Sequence, residues 1–135
     1  MSKIAVVYWS GTGHTQAMAE AVAQGCGGTL FTAEEFDPEQ VGSFDALAFG
    51  CPSMGAEQLE ETQFDPMFQS CKPYLSGKKL ALFGSYGWGD GEWMRNWEQE
   101  CREAGALLAA DSVICQDDPD SQALCDCRAL GAALQ

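Results

Sequence analysis

The chain has 135 residues, a length that suits one domain and crowds two. Apolar residues make up 46% against a formal net charge of −13, so the acidity does not signal disorder; it argues against nucleic acid and anionic membrane surfaces as partners and favours basic proteins. No stretch approaches the ~20 apolar residues that span a bilayer, the run Ile4–Trp9 is too short for a secretory core, and the seven cysteines fall mostly in apolar runs, as reduced thiols of a cytoplasmic protein would.

Lys3–Trp9 is apolar after its first residue, the pattern of a strand buried on both faces. Thr15–Gly25 follows with helical period, Met18, Ala21 and Val22 on one side, and Gly25, Gly27 and Gly28 stop it. Thr29–Ala33 reads as a short second strand. Ala46–Gly50 is a third buried strand, closed by Cys51-Pro52. Asp65-Pro66 supplies a cap and a first-turn proline for the next helix, with Phe68, Cys71 and Leu75 on its inner face and Gly77 at its end. Leu80–Gly84 is the fourth buried strand. Glu92–Ala104 is a helix with Trp93, Trp97 and Cys101 one turn apart, capped by Gly105. Ala106–Cys115 holds the last strand. Asp118-Pro119 repeats the cap-plus-proline start, and Leu124, Cys127, Leu130 and Leu134 line the inner face of the terminal helix, with Cys125 exposed. Trp9, Trp93 and Trp97 fall at core or near-core spacing.

Buried strands alternating with amphipathic helices predict an α/β chain whose parallel sheet is covered on both sides. Five strands fit the doubly wound order 2-1-3-4-5, which places a ligand outside the carboxyl ends of strands one and three. Three segments lie there. Ser10-Gly11-Thr12-Gly13-His14-Thr15 joins the first strand to the first helix, where amides and the helix dipole favour an anion and three hydroxyls add donors. It lacks the Gly-Lys-Ser/Thr of a triphosphate loop and the third glycine of a dinucleotide fingerprint. Glu34 does lie where a ribose-binding acid would, which leaves a nicotinamide reading open. The segment otherwise suits a monophosphate held without a cation. Cys51-Pro52-Ser53-Met54-Gly55-Ala56-Glu57 follows the third strand. Gly84-Ser85-Tyr86-Gly87-Trp88-Gly89-Asp90-Gly91 follows the fourth, and its glycines offer Trp88 to a ligand or partner instead of a core.

Taken with Lys78-Lys79, Leu82-Phe83, Glu92-Trp93-Met94 and the later Gln116-Asp117-Asp118-Pro119, these segments resemble the short-chain bacterial flavodoxins of the clostridial and rumen type, end to end and with no insertion in the fifth strand. Flavodoxin itself exemplifies the order 2-1-3-4-5, so that order is not independent of the resemblance. The resemblance implies one flavodoxin-like domain over residues 1–135, a three-layer sandwich with a five-stranded parallel sheet, and non-covalently bound FMN. Ser10, Gly11, Thr12, Gly13 and Thr15 would hold the phosphate, with His14 beside it. Met54, in the loop with Pro52 and Ser53, would cover one face of the isoalloxazine and Trp88 the other. Gly55, suited to the first central position of a type II′ turn, would carry a peptide that turns over near N5. Glu57 would accept from N3–H. Ser85, Tyr86, Gly87, Gly89, Asp90 and Gly91 would line the ring edge. Two positions depart from the pattern: His14 stands where Asn is usual, and Ala56 where a polar residue is. An anion beside His14 favours its charged form, so FMN affinity should vary slightly with pH near neutrality.

The implied function is low-potential one-electron carriage, chiefly between semiquinone and hydroquinone. Glu57, Glu60, Glu61, Asp65, Asp90 and Glu92 are expected near the flavin edge, where several carboxylates would lower the second potential by on the order of 100 mV. The expected partners are redox enzymes with basic docking surfaces: reductases, oxidoreductases, and hydrogenase or nitrogenase systems. The protein is expected to be a monomer that binds neither nucleic acid nor membrane. An FMN-dependent reductase of a quinone or small acceptor is the alternative, and the Met54–Trp88 cover argues against its substrate pocket. A signalling receiver would need acids at the ends of strands one and three and a Lys after strand five; Tyr8-Trp9-Ser10, Cys51-Pro52 and Cys115-Gln116 stand there instead.

Overall fold

The long apolar runs become the middle of a parallel sheet, and each is apolar throughout because both of its faces are covered. The computed structural model describes residues 3–11, 13–54, 58–87 and 89–135. In chain order it contains β1 (Ile4–Tyr8), α1 (His14–Cys26), β2 (Thr29–Thr32), α2 (Pro38–Val41), β3 (Ala46–Gly50), α3 (Phe64–Cys71), β4 (Lys79–Tyr86), α4 (Glu92–Glu103), β5 (Leu107–Leu108), β6 (Val113–Gln116) and α5 (Ser121–Ala132). The sheet order is β2-β1-β3-β4-β5, with β6 also on β4, and every pairing is parallel. This is the expected 2-1-3-4-5 order.

The two faces differ in side-chain size. Leu47, Phe49, Leu80 and Leu82 point toward α2, α3 and α4. Ala46, Ala48 and Ala81, with Ile4, Val6 and Phe83, point toward α1 and α5. Each large apolar side chain fully buried here contributes roughly 1.5–3 kcal/mol. On the alanine side, α1 and α5 pack backbone to backbone. A Cβ on Gly25 would lie 2.0 Å from the Arg128 carbonyl oxygen, and one on Gly131 would lie 2.2 Å from that of Val22. Opposite them, Phe64 and Phe68 lie nearly parallel, and Phe49 and Trp97 meet them edge to face, with Phe49–Phe68 and Phe64–Trp97 ring centroids each 5.4 Å apart, locking α3 and α4 onto β3.

The structure corrects several expected boundaries. The fifth strand comes in two pieces. β5 pairs Leu107 with Lys79 while β6 pairs Val113 with Phe83, so the edge strand carries two more residues than β4 between these pairings. An edge strand has a partner on one side only, and nothing forces the extra residues back into register. α3 begins at Phe64, ahead of Asp65-Pro66, because Glu60 accepts from the backbone N–H groups of Thr62, Gln63 and Phe64, each at 2.8 Å. α5 is capped by Asp120, whose carboxylate accepts from Ala123 N–H at 2.8 Å; Asp118-Pro119 lies in the preceding loop. The sequence between β2 and β3, read as loop, forms a 3-10 turn and the short α2. Leu75 and Leu134 lie beyond the ends of their helices yet remain buried. Trp93 and Trp97 are buried as expected, Cys127 is buried and Cys125 is exposed.

Candidate functional site

At the carboxyl edge of the sheet the strands give way to loops, and hydrogen bonds continue between those loops. Trp9 N–H donates to the Gly50 carbonyl at 3.0 Å, Cys51 N–H to Phe83 at 3.2 Å, Ser53 N–H to Ser85 at 2.9 Å and Asp117 N–H to Tyr86 at 2.8 Å. The Gln116 side-chain amide donates to the Gly87 carbonyl at 3.4 Å. Four chain segments are thereby held side by side. Buried Trp93 supports them from below: its indole N–H donates to the Cys51 carbonyl at 3.2 Å, and its ring lies 5.5 Å from that of Tyr86.

Between these segments is a cavity of about 240 Å³. Gly11 and His14 line it from the first loop, Pro52, Ser53 and Met54 from the second, and Ser85, Tyr86 and Gly87 from the third. Trp9 and Asp117 complete the lining. Larger recesses of about 420 Å³ beside α5 and about 470 Å³ between α3 and α4 lie away from this confluence of strand ends.

The first loop leaves donors uncommitted. Gly13 caps α1 at φ 95°, a left-handed conformation open to glycine, and it has no side chain to cap with. Its own N–H donates to Ser10 Oγ at 3.0 Å. The first intrahelical bond runs from Ala17 to the Gly13 carbonyl, so the first-turn amides of His14, Thr15 and Gln16 have no acceptor within α1. Thr15 is buried, and its hydroxyl shares a 3.1 Å hydrogen bond with that of Ser85, tying the first loop to the third. His14 Nε2 lies 4.0 Å from the Asp118 carboxylate.

Met54 is 38% exposed at the mouth, a soft apolar surface offered outward. Its N–H and carbonyl both pair with Gln58 at 2.8 Å, bracketing residues 55–57. Thr12, the Gly55-Ala56-Glu57 turn and Trp88 fall outside the described residues, so the roles expected of them are not located. Gly89, Asp90 and Gly91 stand away from the cavity lining. Asp90 forms an ion pair with Arg95 at 3.0 Å, and Gly91 caps α4.

Three findings were hidden in the sequence. Trp9 is half-buried: it rests partly against the core and walls the cavity instead of filling the interior. Asp117 lines the cavity from a left-handed conformation, φ 57°, which Asp tolerates better than most residues. Glu60, expected near the flavin edge, is only 4% exposed and serves α3. Burial pushes its acidity down, but bonds from the Thr62 hydroxyl and the Phe64, Thr62 and Gln63 amides outweigh that and hold the carboxyl below the ordinary carboxylate range.

This donor set fits the phosphate of FMN: unengaged first-turn amides, nearby hydroxyls and no committed cation. The aromatic and thioether lining of the cavity fits a flat ring. The sequence pattern described as flavodoxin matches residues 6–131. A flavodoxin of Megasphaera elsdenii is 41% identical over 135 residues, covering 96% of each chain. One of Clostridium beijerinckii is 43% identical over 131 residues, covering 93% of this chain and 94% of that one. The solution structure of the two-electron reduced Megasphaera elsdenii flavodoxin superposes with a TM-score of 0.87 at 40% identity, covering 97% of both chains. Strand order, converging loops and near end-to-end similarity agree, and the chain belongs to the flavodoxin family, FMN-binding proteins that carry electrons rather than transform substrates.

Proposed function

We propose that this chain is a single FMN-binding domain acting as a low-potential one-electron carrier, working chiefly between the half-reduced and fully reduced cofactor. The observation that carries this reading is the convergence of four strand-end segments on one cavity beside a helix start capped by a glycine with no side chain to offer. FMN supplies the one-electron chemistry when bound. The α1 amides, with Ser10 and, by the family motif, Thr12, would hold its phosphate. Met54 would shield the ring, with Trp88 opposite it by the family motif, and Pro52, Ser53, Ser85, Tyr86 and Gly87 would line its edge. By the family motif, Gly55 would offer a peptide to N5 and Glu57 would accept from N3–H.

The acids separate the two reduction steps. At ~10 Å and an effective dielectric of ~40, a carboxylate opposes added negative charge on the ring by about 0.8 kcal/mol, or about 35 mV for one electron. Glu60 is engaged by α3 and Asp90 by Arg95, so among the described acids this effect falls more to Asp117, which lines the cavity. The same acidity, net −13, steers the carrier toward redox enzymes with basic docking faces, encountered as a monomer in the cytoplasm. Among the described residues no helix is long and apolar enough to cross a membrane.

The test is to titrate cofactor-free protein with FMN and then reduce the complex stepwise while recording visible spectra. Binding should perturb the flavin bands, and reduction should proceed in two resolved one-electron stages. A chain that leaves the spectrum of added FMN unchanged overturns the proposal.

A further inference from the structure

Trp9 walls the cavity, and its ring is held from outside. The indole N–H donates to Gln63 Oε1 at 3.0 Å, across 54 positions in sequence. The Gln63 side-chain nitrogen in turn donates to a Glu34 carboxylate oxygen, 29 positions away. Gln63 itself sits at a fixed point, because its backbone N–H is bound by the Glu60 carboxylate at 2.8 Å. On the cavity side the ring lies beneath Gly11, where an added Cβ would come within 3.0 Å of Trp9 Cη2. The indole is thus confined between the first loop and the start of α3.

The chemistry of the bridge allows one arrangement. An indole N–H can only donate, and an ionised carboxylate can only accept. A group joining them must accept at one end and donate at the other, as the Gln63 amide does. We propose that Gln63 is a positioning residue for the FMN pocket: it fixes the Trp9 indole as a wall, and Glu34 sets which way its amide faces. This inference rests on the FMN reading of the cavity. Gln63 is the N-cap residue of α3, but its side chain makes no capping bond, so changing it leaves that helix its Glu60 cap.

The experiment compares FMN dissociation constants, read by quenching of flavin fluorescence, with the Trp9 indole N–H resonance in the cofactor-free protein. Gln63→Leu removes both bonds. Because the bridge is solvent-accessible, one net hydrogen bond is the scale of the effect, and binding should weaken about fivefold as the indole resonance moves to its solvent-exposed position. Gln63→Glu sets two carboxylates against each other and should weaken binding comparably at neutral pH. Adding Glu34→Gln to it reverses only the outer bond: the new amide at position 34 donates to the carboxylate at 63, which still accepts from the Trp9 indole N–H. The double variant should return to within about twofold of the starting affinity and recover the resonance. A merely structural role for Gln63 predicts no such rescue. Unchanged binding and resonance in Gln63→Leu, or a double variant as weak as Gln63→Glu, overturns the inference. If the unaltered chain fails to bind FMN, the functional reading falls and this inference with it, whereas loss of the effect in a chain that does bind FMN sinks the inference alone.

Discussion

α1 and α3 both start just beyond the carboxyl edge of the sheet, yet their first turns are treated in opposite ways. α3 receives a buried carboxylate: Glu60 takes three backbone amides and the Thr62 hydroxyl. α1 receives a glycine with no side chain to offer, and its first-turn amides have no acceptor within the helix. A helix start that satisfies itself is finished as structure. One that does not can take an anion from outside, and this one opens beside a cavity.

The largest test of this contrast is to remove the anion while keeping the ring. Riboflavin lacks the phosphate that the α1 amides would hold. Two or three charge-assisted bonds and the helix dipole together amount to about 3 kcal/mol, so riboflavin should bind on the order of a hundredfold more weakly than FMN in parallel titrations. Equal affinities would mean that the α1 start is not the anchor.

The converse applies to α3. Glu60→Ala leaves buried amides without an acceptor and should lower the unfolding free energy by about 2 kcal/mol in urea titrations. Its pH dependence has a definite sign. The folded carboxyl is held below its ordinary range, so its contribution is complete above the unfolded value of ~4.3 and is lost as pH falls through the lower folded value. The stability gap between the protein and Glu60→Gln should therefore be widest near neutrality and close in acid.

Smaller effects refine the α1 side. Gly13→Ala meets no atom within 4 Å, so its cost is that of φ 95° alone, about 1 kcal/mol of stability by thermal or chemical denaturation. A larger loss would show that the loop is more tightly built than its open surroundings suggest. Asp117→Asn removes a carboxylate from a cavity meant for an anionic ligand and keeps a residue tolerant of φ 57°. FMN affinity should rise by about twofold, and less in high salt, as isothermal titration would measure.

Much of this architecture can be read from the sequence alone. Continuous apolar runs such as Ala46–Gly50 and Leu80–Leu82 admit few structures other than strands covered on both faces, and glycine-bearing segments at their carboxyl ends mark where a ligand would sit. Local signals were less reliable at helix starts. Asp65-Pro66 and Asp118-Pro119 look like caps, but Glu60 and Asp120 do the capping, because a proline suits the first turn wherever the chain has already been turned. The break between β5 and β6 left no mark, since Ala109 to Ser112 are compatible with either strand or loop.

Composition and period determined the layers, because burying two faces of a sheet constrains every residue of a strand at once; the strand order, and with it the crevice, came with the resemblance to the family. Only the tertiary structure decided the finer placements: that Trp9 walls a cavity, that Asp117 enters it, that Glu60 turns inward, and that Gln63 joins Trp9 to Glu34. Those depend on which segments far apart in the chain end up as neighbours, and single side chains of similar chemistry give no periodic signal from which that could be read.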